Sequence, residues 1–151
     1  MNKTKTFLQY WLPALLWLAV VAAFSTQAFG ANRTGGLLVM VLGWVNLELS
    51  AEMLGTVHFA TRKTAHFVAY GILSTLFFRA FRGPEPRVQW RGAWVLSALA
   101  VCLVTAALDE VNQSYTPGRG GSAYDVALDM AGAGFAQLVI WAVYRGRTAR
   151  R

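Results

Sequence analysis

A single cysteine, Cys102, stands among the 151 residues, so the chain forms neither an intrachain disulfide nor a thiolate metal centre. Its place inside an apolar run marks it as a small buried hydrophobe. Histidine is almost as scarce, with two residues, and the one His set among carboxylates lacks the spacing of a recognised zinc motif. Neither a serine elbow nor a Walker loop occurs, so the signatures of those hydrolases and nucleotide enzymes are missing. No metal and no cofactor is expected. Charge is thin: 14% of residues are charged, and only seven are acidic. There is no internal repeat and no low-complexity linker, which leaves one domain, residues 1–151. What fills the chain instead is apolar. The hydrophobic share is 56% and the mean hydropathy is +0.40, too apolar for an ordinary soluble fold. Several runs approach the ~20 residues that span a bilayer as a helix. The expected class is an all-α polytopic membrane protein whose surplus apolar surface faces lipid.

The net charge of +7 does not indicate nucleic acid. The basic residues cluster at the ends of apolar runs and form no aromatic-interleaved patch. They read as topology signals instead.

Lys3 and Lys5 precede a first apolar helix at about 8–28, with Pro13 near its first turns. Ala28-Phe29-Gly30 resembles a small-x-small cleavage site, but the apolar stretch exceeds the usual ~7–15-residue signal core, which favours an uncleaved helix. Residues 36–45 are too few to span before Asn46, Glu48, Ser50 and Glu52 interrupt them. Residues 36–57 therefore read as an interfacial or re-entrant amphipathic helix with Glu48 and Glu52 on its wet side. Further spans are expected at about 64–81, 92–113 and 122–144. Pro84 and Pro86 break the loop between the second and third, and YTPGRGG turns between the third and fourth.

Orientation follows from counting. The N-terminus, the loop at 79–91 and the C-terminal tail hold ten of the fourteen basic residues and one acid, Glu85. The opposite side holds four basic residues and six acids. The positive-inside rule then makes both termini cytoplasmic, with four membrane helices.

This count gathers the unusual polar residues at the outer side. Lys63, His66 and Tyr70 share a helix face by their i, i+3, i+7 spacing. Asp109, Glu110 and Gln113 lie at the outer end of the third span, and Asp125 and Asp129 at the start of the fourth, with Gly132 continuing their face. Lipid cannot solvate such groups, so they turn toward one another, and a charge within a membrane is a functional candidate by default. Arg119, in the connecting turn, reaches back over them. Each also has a plain structural role. Ser122 with Asp125 fits a capping box, Arg119 suits an ion network, and His66 suits a packed, hydrogen-bonded imidazole. Tyr70 suits an anchor, and the tryptophans suit interfacial belts.

The pattern K-x-x-H-x-x-x-Y (Lys63, His66, Tyr70), then D-E-x-x-Q (Asp109, Glu110, Gln113), then R-x-x-S-x-x-D (Arg119, Ser122, Asp125) resembles the VanZ-like membrane proteins. The likeness covers Arg62 to about Gly134 in order, spacing and helix placement. Many relatives carry a carboxylate just before the tyrosine, where this chain has Ala69, and asparagine where it has Asp129. The family takes its name from a protein associated with resistance to teicoplanin, a lipidated glycopeptide. The resemblance implies a ligand site made of Lys63, His66, Tyr70, Asp109, Glu110, Gln113, Arg119, Ser122 and Asp125.

Two functions fit these residues. In the first, the outer pocket binds a membrane lipid headgroup, a glycopeptide-like amphiphile or a lipid-linked envelope precursor, with Lys63 and Arg119 on an anionic group. In the second, the protein is a hydrolase or transferase acting on such a lipid. His66 is then general base, Asp109 or Asp125 its orienting partner, and Arg119 the stabiliser of developing charge. The binding function is preferred because the charges can satisfy one another without chemistry.

The topology is open to a direct check. Single cysteines at Glu85 and Arg147 should resist an impermeant thiol reagent on intact cells whose outer membrane, if any, is permeabilised. One at Gly120 should react. Labelling at Glu85 would reverse the orientation.

Overall fold

The computed structural model describes residues 2–26, 31–44, 49–85, 90–115 and 121–148. Glu48, Arg119 and the Ala28-Phe29-Gly30 site lie outside them. The described residues form five helices and no strand. Helix α1 is α-helical at Lys3–Thr6, π-helical over Phe7–Trp11 and α-helical over Leu12–Ser25. Then follow α2 (Ala31–Trp44), α3 (Ala51–Arg82), α4 (Gly92–Ser114) and α5 (Ala123–Thr148).

Among the described residues, three helical stretches are long and apolar enough to cross a membrane: Lys3–Phe24, Gly92–Ser114 and Ala123–Arg147. Their bounds lie close to those expected for the first, third and fourth spans. Helix α3 differs. It begins at Ala51, far ahead of the expected Thr64, and the amphipathic helix expected over 36–57 is divided between α2 and the start of α3. The reason is a cap. Ser50 is extended, and its hydroxyl accepts the Met53 N–H at 3.3 Å, while Glu52 favours the positive end of the helix dipole. With 32 residues, α3 is about 48 Å long, against ~30 Å of hydrocarbon. It stops at Gly83, whose φ of +59° is left-handed, just before Pro84.

The core is the bundle of α3, α4 and α5. Tyr70, Leu73, Ser74, Phe77 and Phe78 of α3 are buried against Ala98, Cys102 and Ala106 of α4 and Ala133 of α5. The small residues of α4 and α5 let backbones approach, which is how helices gain contact energy where lipid supplies no hydrophobic drive. The tightest point is Gly132: a Cβ there would stand 2.1 Å from the Phe67 carbonyl oxygen, and one on Gly71 would stand 3.3 Å from the Gly132 carbonyl oxygen. One polar pair lies deeper in this seam. Gln137 Nε2 donates to Ser74 Oγ at 2.7 Å and to the Ser74 carbonyl at 3.1 Å. At the far end, Arg82 donates to the Tyr144 hydroxyl at 2.8 Å, and Phe78 meets Trp94 and Tyr144 edge-on.

Hydrogen bonds at Gln9 and Trp17 tie helix α1 to α3. Pro13 has no N–H to give the Gln9 carbonyl four residues earlier. The chain passes that place as a π turn, and Arg79 donates to the Gln9 carbonyl instead, at 3.1 Å. Farther along, Trp17 Nε1 donates to the Ala69 carbonyl at 2.9 Å.

The Gly132 contact is testable against its own helix. Gly132→Ala should cost about 1–3 kcal/mol through overpacking, read as a lower melting temperature in detergent. Gly134→Ala, where a Cβ meets nothing within 4 Å, should be neutral or stabilising, because alanine is the better helix former. Equal effects would remove the special role of Gly132.

Candidate functional site

Of the polar residues expected to converge, Lys63, His66, Asp109, Glu110, Gln113 and Asp125 gather at the end of the bundle where α4 finishes and α5 begins, and Arg119 lies outside the described residues. Asp109, Glu110, Gln113 and Asp129 are all buried there. Two cross-helix pairs join α3 to α5. Lys63 Nζ is paired with Asp125 Oδ1, both about one-quarter exposed, and His66 Nδ1 lies 3.3 Å from Asp129 Oδ1. The offsets explain the pairing. Lys63 and His66 are one turn apart on α3, Asp125 and Asp129 one turn apart on α5, and the two rows lie side by side along the Gly132 seam.

These contacts differ from the sequence reading in one respect. The carboxylate against His66 is that of Asp129, whereas Asp109 or Asp125 was expected. Asp125 is held by Lys63, whose ammonium also sits over the rings of Phe59 and Tyr124, 5.3 and 5.8 Å from their centroids. Asp109 acts on His66, Tyr70, Glu110 and Asp129 electrostatically.

Glu110 builds the corner between α4 and α5. Its Oε2 accepts the Ser122 backbone N–H at 2.5 Å, and its backbone carbonyl lies so near Gly121 that a Cβ there would meet it at 2.7 Å. Ser122 enters the site through its backbone, for its carbonyl accepts the Asp125 N–H at 2.9 Å and so starts α5.

Beside this cluster, α1, α2 and α3 enclose a cavity of about 290 Å³. Its α3 wall runs His58, Thr61, Arg62, Ala65, His66, Ala69 and Tyr70, with Asp109 of α4 behind. Its other wall is apolar, made by Trp17, Val20, Val21 and Phe24 of α1 and Leu38 of α2. Of the expected ligand residues, His66, Tyr70 and Asp109 line it, while Lys63, Glu110, Gln113, Ser122 and Asp125 do not. Sequence reasoning missed Arg62, His58 and Trp17. The signal was present as the stripe 58, 62, 66, 70, which becomes one continuous face once α3 is known to start at Ala51.

Two buried polar atoms here have no hydrogen-bond partner among the described residues: the Tyr70 hydroxyl and Asp129 Oδ2, on side chains 1% exposed. Leaving such buried atoms without a partner is costly. Among the described residues, no three His, Cys, Asp or Glu side chains group as a metal ion would require.

This arrangement defines a class, a helical bundle with an acidic, imidazole-bearing end and an amphipathic cavity beside it. The VanZ/LLP1 family model matches residues 10–144, and the chain belongs to that family. No curated protein and no solved structure matches it.

A double-mutant cycle tests the Lys63–Asp125 pair. Each single alanine should destabilise, and the double should cost less than the sum by about 0.5–3 kcal/mol. Strict additivity in thermal or denaturant unfolding would mean that the pair does not form.

Proposed function

We propose that this protein binds an anionic membrane amphiphile, a cell-envelope lipid or a glycopeptide-like molecule, in the cavity between α1, α2 and α3. The observation that carries this reading is the two-sided lining. Arg62, His58 and His66 offer donors for a phosphate or carboxylate, with Arg62 suited to a bidentate contact. Trp17, Val20, Val21, Phe24 and Leu38 offer an apolar wall for a chain. A largely apolar pocket with a few convergent polar groups is the usual form of a small-molecule site. In this reading α3 is the fourth crossing, both termini are cytoplasmic, and the cavity opens to the outer leaflet of a bacterial cytoplasmic membrane.

The ligand anchor is Arg62, because its guanidinium lines the cavity, whereas Lys63 does not line it and faces Asp125 of α5. With phosphatidylglycerol as the probe, Arg62→Ala should weaken retention by about 2–5 kcal/mol, the loss typical of removing a buried charge-assisted contact. Lys63→Ala should weaken it far less. The opposite ranking would move the anion site to the Lys63 side.

The His66–Asp129 contact favours a second reading, an enzyme acting on the bound lipid. Asp129 would fix the imidazole through Nδ1 and leave Nε2 to take a proton from a nucleophile. Turnover of a purified envelope lipid, lost in His66→Ala by roughly 10²–10⁴-fold while the lipid still binds, would establish catalysis. Binding without turnover in the wild-type protein leaves the first reading.

A further inference from the structure

A second, larger groove of about 620 Å³ lies on the other flank of α1, between α1 and α4. Its α4 wall extends from Ala100 to Asn112, about 18 Å along the helix at 1.5 Å per residue. Val101, Val104 and Leu108 make it apolar over most of that length, with Leu18 and Ala22 across from them. Thr105, midway along, turns its hydroxyl onto the Val101 carbonyl at 2.8 Å, and the remaining polar groups, Asp109 and Asn112, come last, at the same end of the bundle as the cluster described above.

The two hollows are not independent. Val21 and Asp109 line both. Val21 is buried in the α1 face turned to the bundle, with Trp17, Val20 and Phe24 to one side and Leu18 and Ala22 to the other. It is a ridge with a groove on each flank, and a single buried carboxylate stands behind it where the grooves meet. A head placed at Arg62, His66 and Asp109 thus has two apolar paths leading from it.

We infer that the ligand is a lipid with two hydrophobic chains that straddles Val21, its head beside Arg62, His66 and Asp109 and one chain in each groove. This rests on the amphiphile-binding reading above. The occupant follows from the two grooves adjoining at Val21 and Asp109: a one-chain amphiphile uses only the cavity and leaves the longer groove to bulk lipid. Because chains gain no hydrophobic energy on passing from lipid to protein, the second chain contributes through packing and through being tied to a head already in place.

The test uses the full chain in detergent micelles, with retained lipid measured by native mass spectrometry. The probes are dioleoyl phosphatidylglycerol and its one-chain lyso form, which share a head. The two-chain lipid should be retained about tenfold more tightly, a difference of ~1.4 kcal/mol. Val104→Trp fills only the α1–α4 groove, at a side chain already more than half exposed. It should bring the two-chain lipid down to the lyso level and leave lyso binding unchanged. Ala100→Phe, in the same groove and also exposed, should do the same if the tryptophan variant fails to fold. Equal retention of both lipids by the wild type overturns the two-chain inference but keeps the binding reading. So does a tenfold preference that survives both substitutions, or one that falls together with lyso binding. Failure of both lipids to bind overturns the binding reading and this inference with it.

Discussion

Between α3 and α5 there is no room for a side chain at Gly132, where a Cβ would fall 2.1 Å from the Phe67 carbonyl oxygen. Apolar burial does not drive helices together in lipid, so a backbone contact this close must be held by packing and by polar pairs along its length. The seam supplies both. Lys63–Asp125 and His66–Asp129 lie on one side of the contact, and Ser74–Gln137 and Arg82–Tyr144 follow on the other. If Gly132 is displaced, the rows of α3 and α5 no longer match, and each pair loses its partner across the gap.

The seam also decides which face of α3 is left for a ligand. Lys63 is drawn toward α5, and the stripe of His58, Arg62, His66 and Tyr70 is left against α1 and α2. His66 belongs to both sets, because its ring touches Asp129 in the seam and also lines the cavity. A structural ion network and a candidate binding surface therefore share one imidazole. The Trp17–Ala69 hydrogen bond keeps α1 at the distance that leaves the cavity open. The Arg79–Gln9 bond, made available by Pro13, fixes the other end of α1.

Much of this was legible in the sequence. The three apolar spans showed themselves by length and hydropathy, and the family by three spaced motifs between Lys63 and Asp125. The meeting of α3 with the acids of α4 and α5 followed from lipid's inability to solvate them. The start of α3 was not legible. Polar and charged residues from Glu52 to Lys63 hid a helix that continues from a serine cap, because hydropathy reports membrane crossing and says little about helix continuity. Reading the helix only from Thr64 removed His58 and Arg62 from the face that carries His66. Lys63, read with Arg119 as a cation of the pocket, does not line the cavity, because adjacent helix positions point about 100° apart. The partner of His66 was hidden for a different reason. Asp109, Asp125 and Asp129 are alike in sequence, and only the register across Gly132 separates them.

If the α1–α3 cavity, and not the Lys63–Asp125 side, receives the ligand, a map of the protein in native-lipid nanodiscs, at a resolution that shows lipid, should contain elongated density with its head beside Arg62, His66 and Asp109 and its body along Trp17 and Val21. An empty cavity, with ordered density instead against Lys63, Phe59 and Tyr124, would contradict that placement.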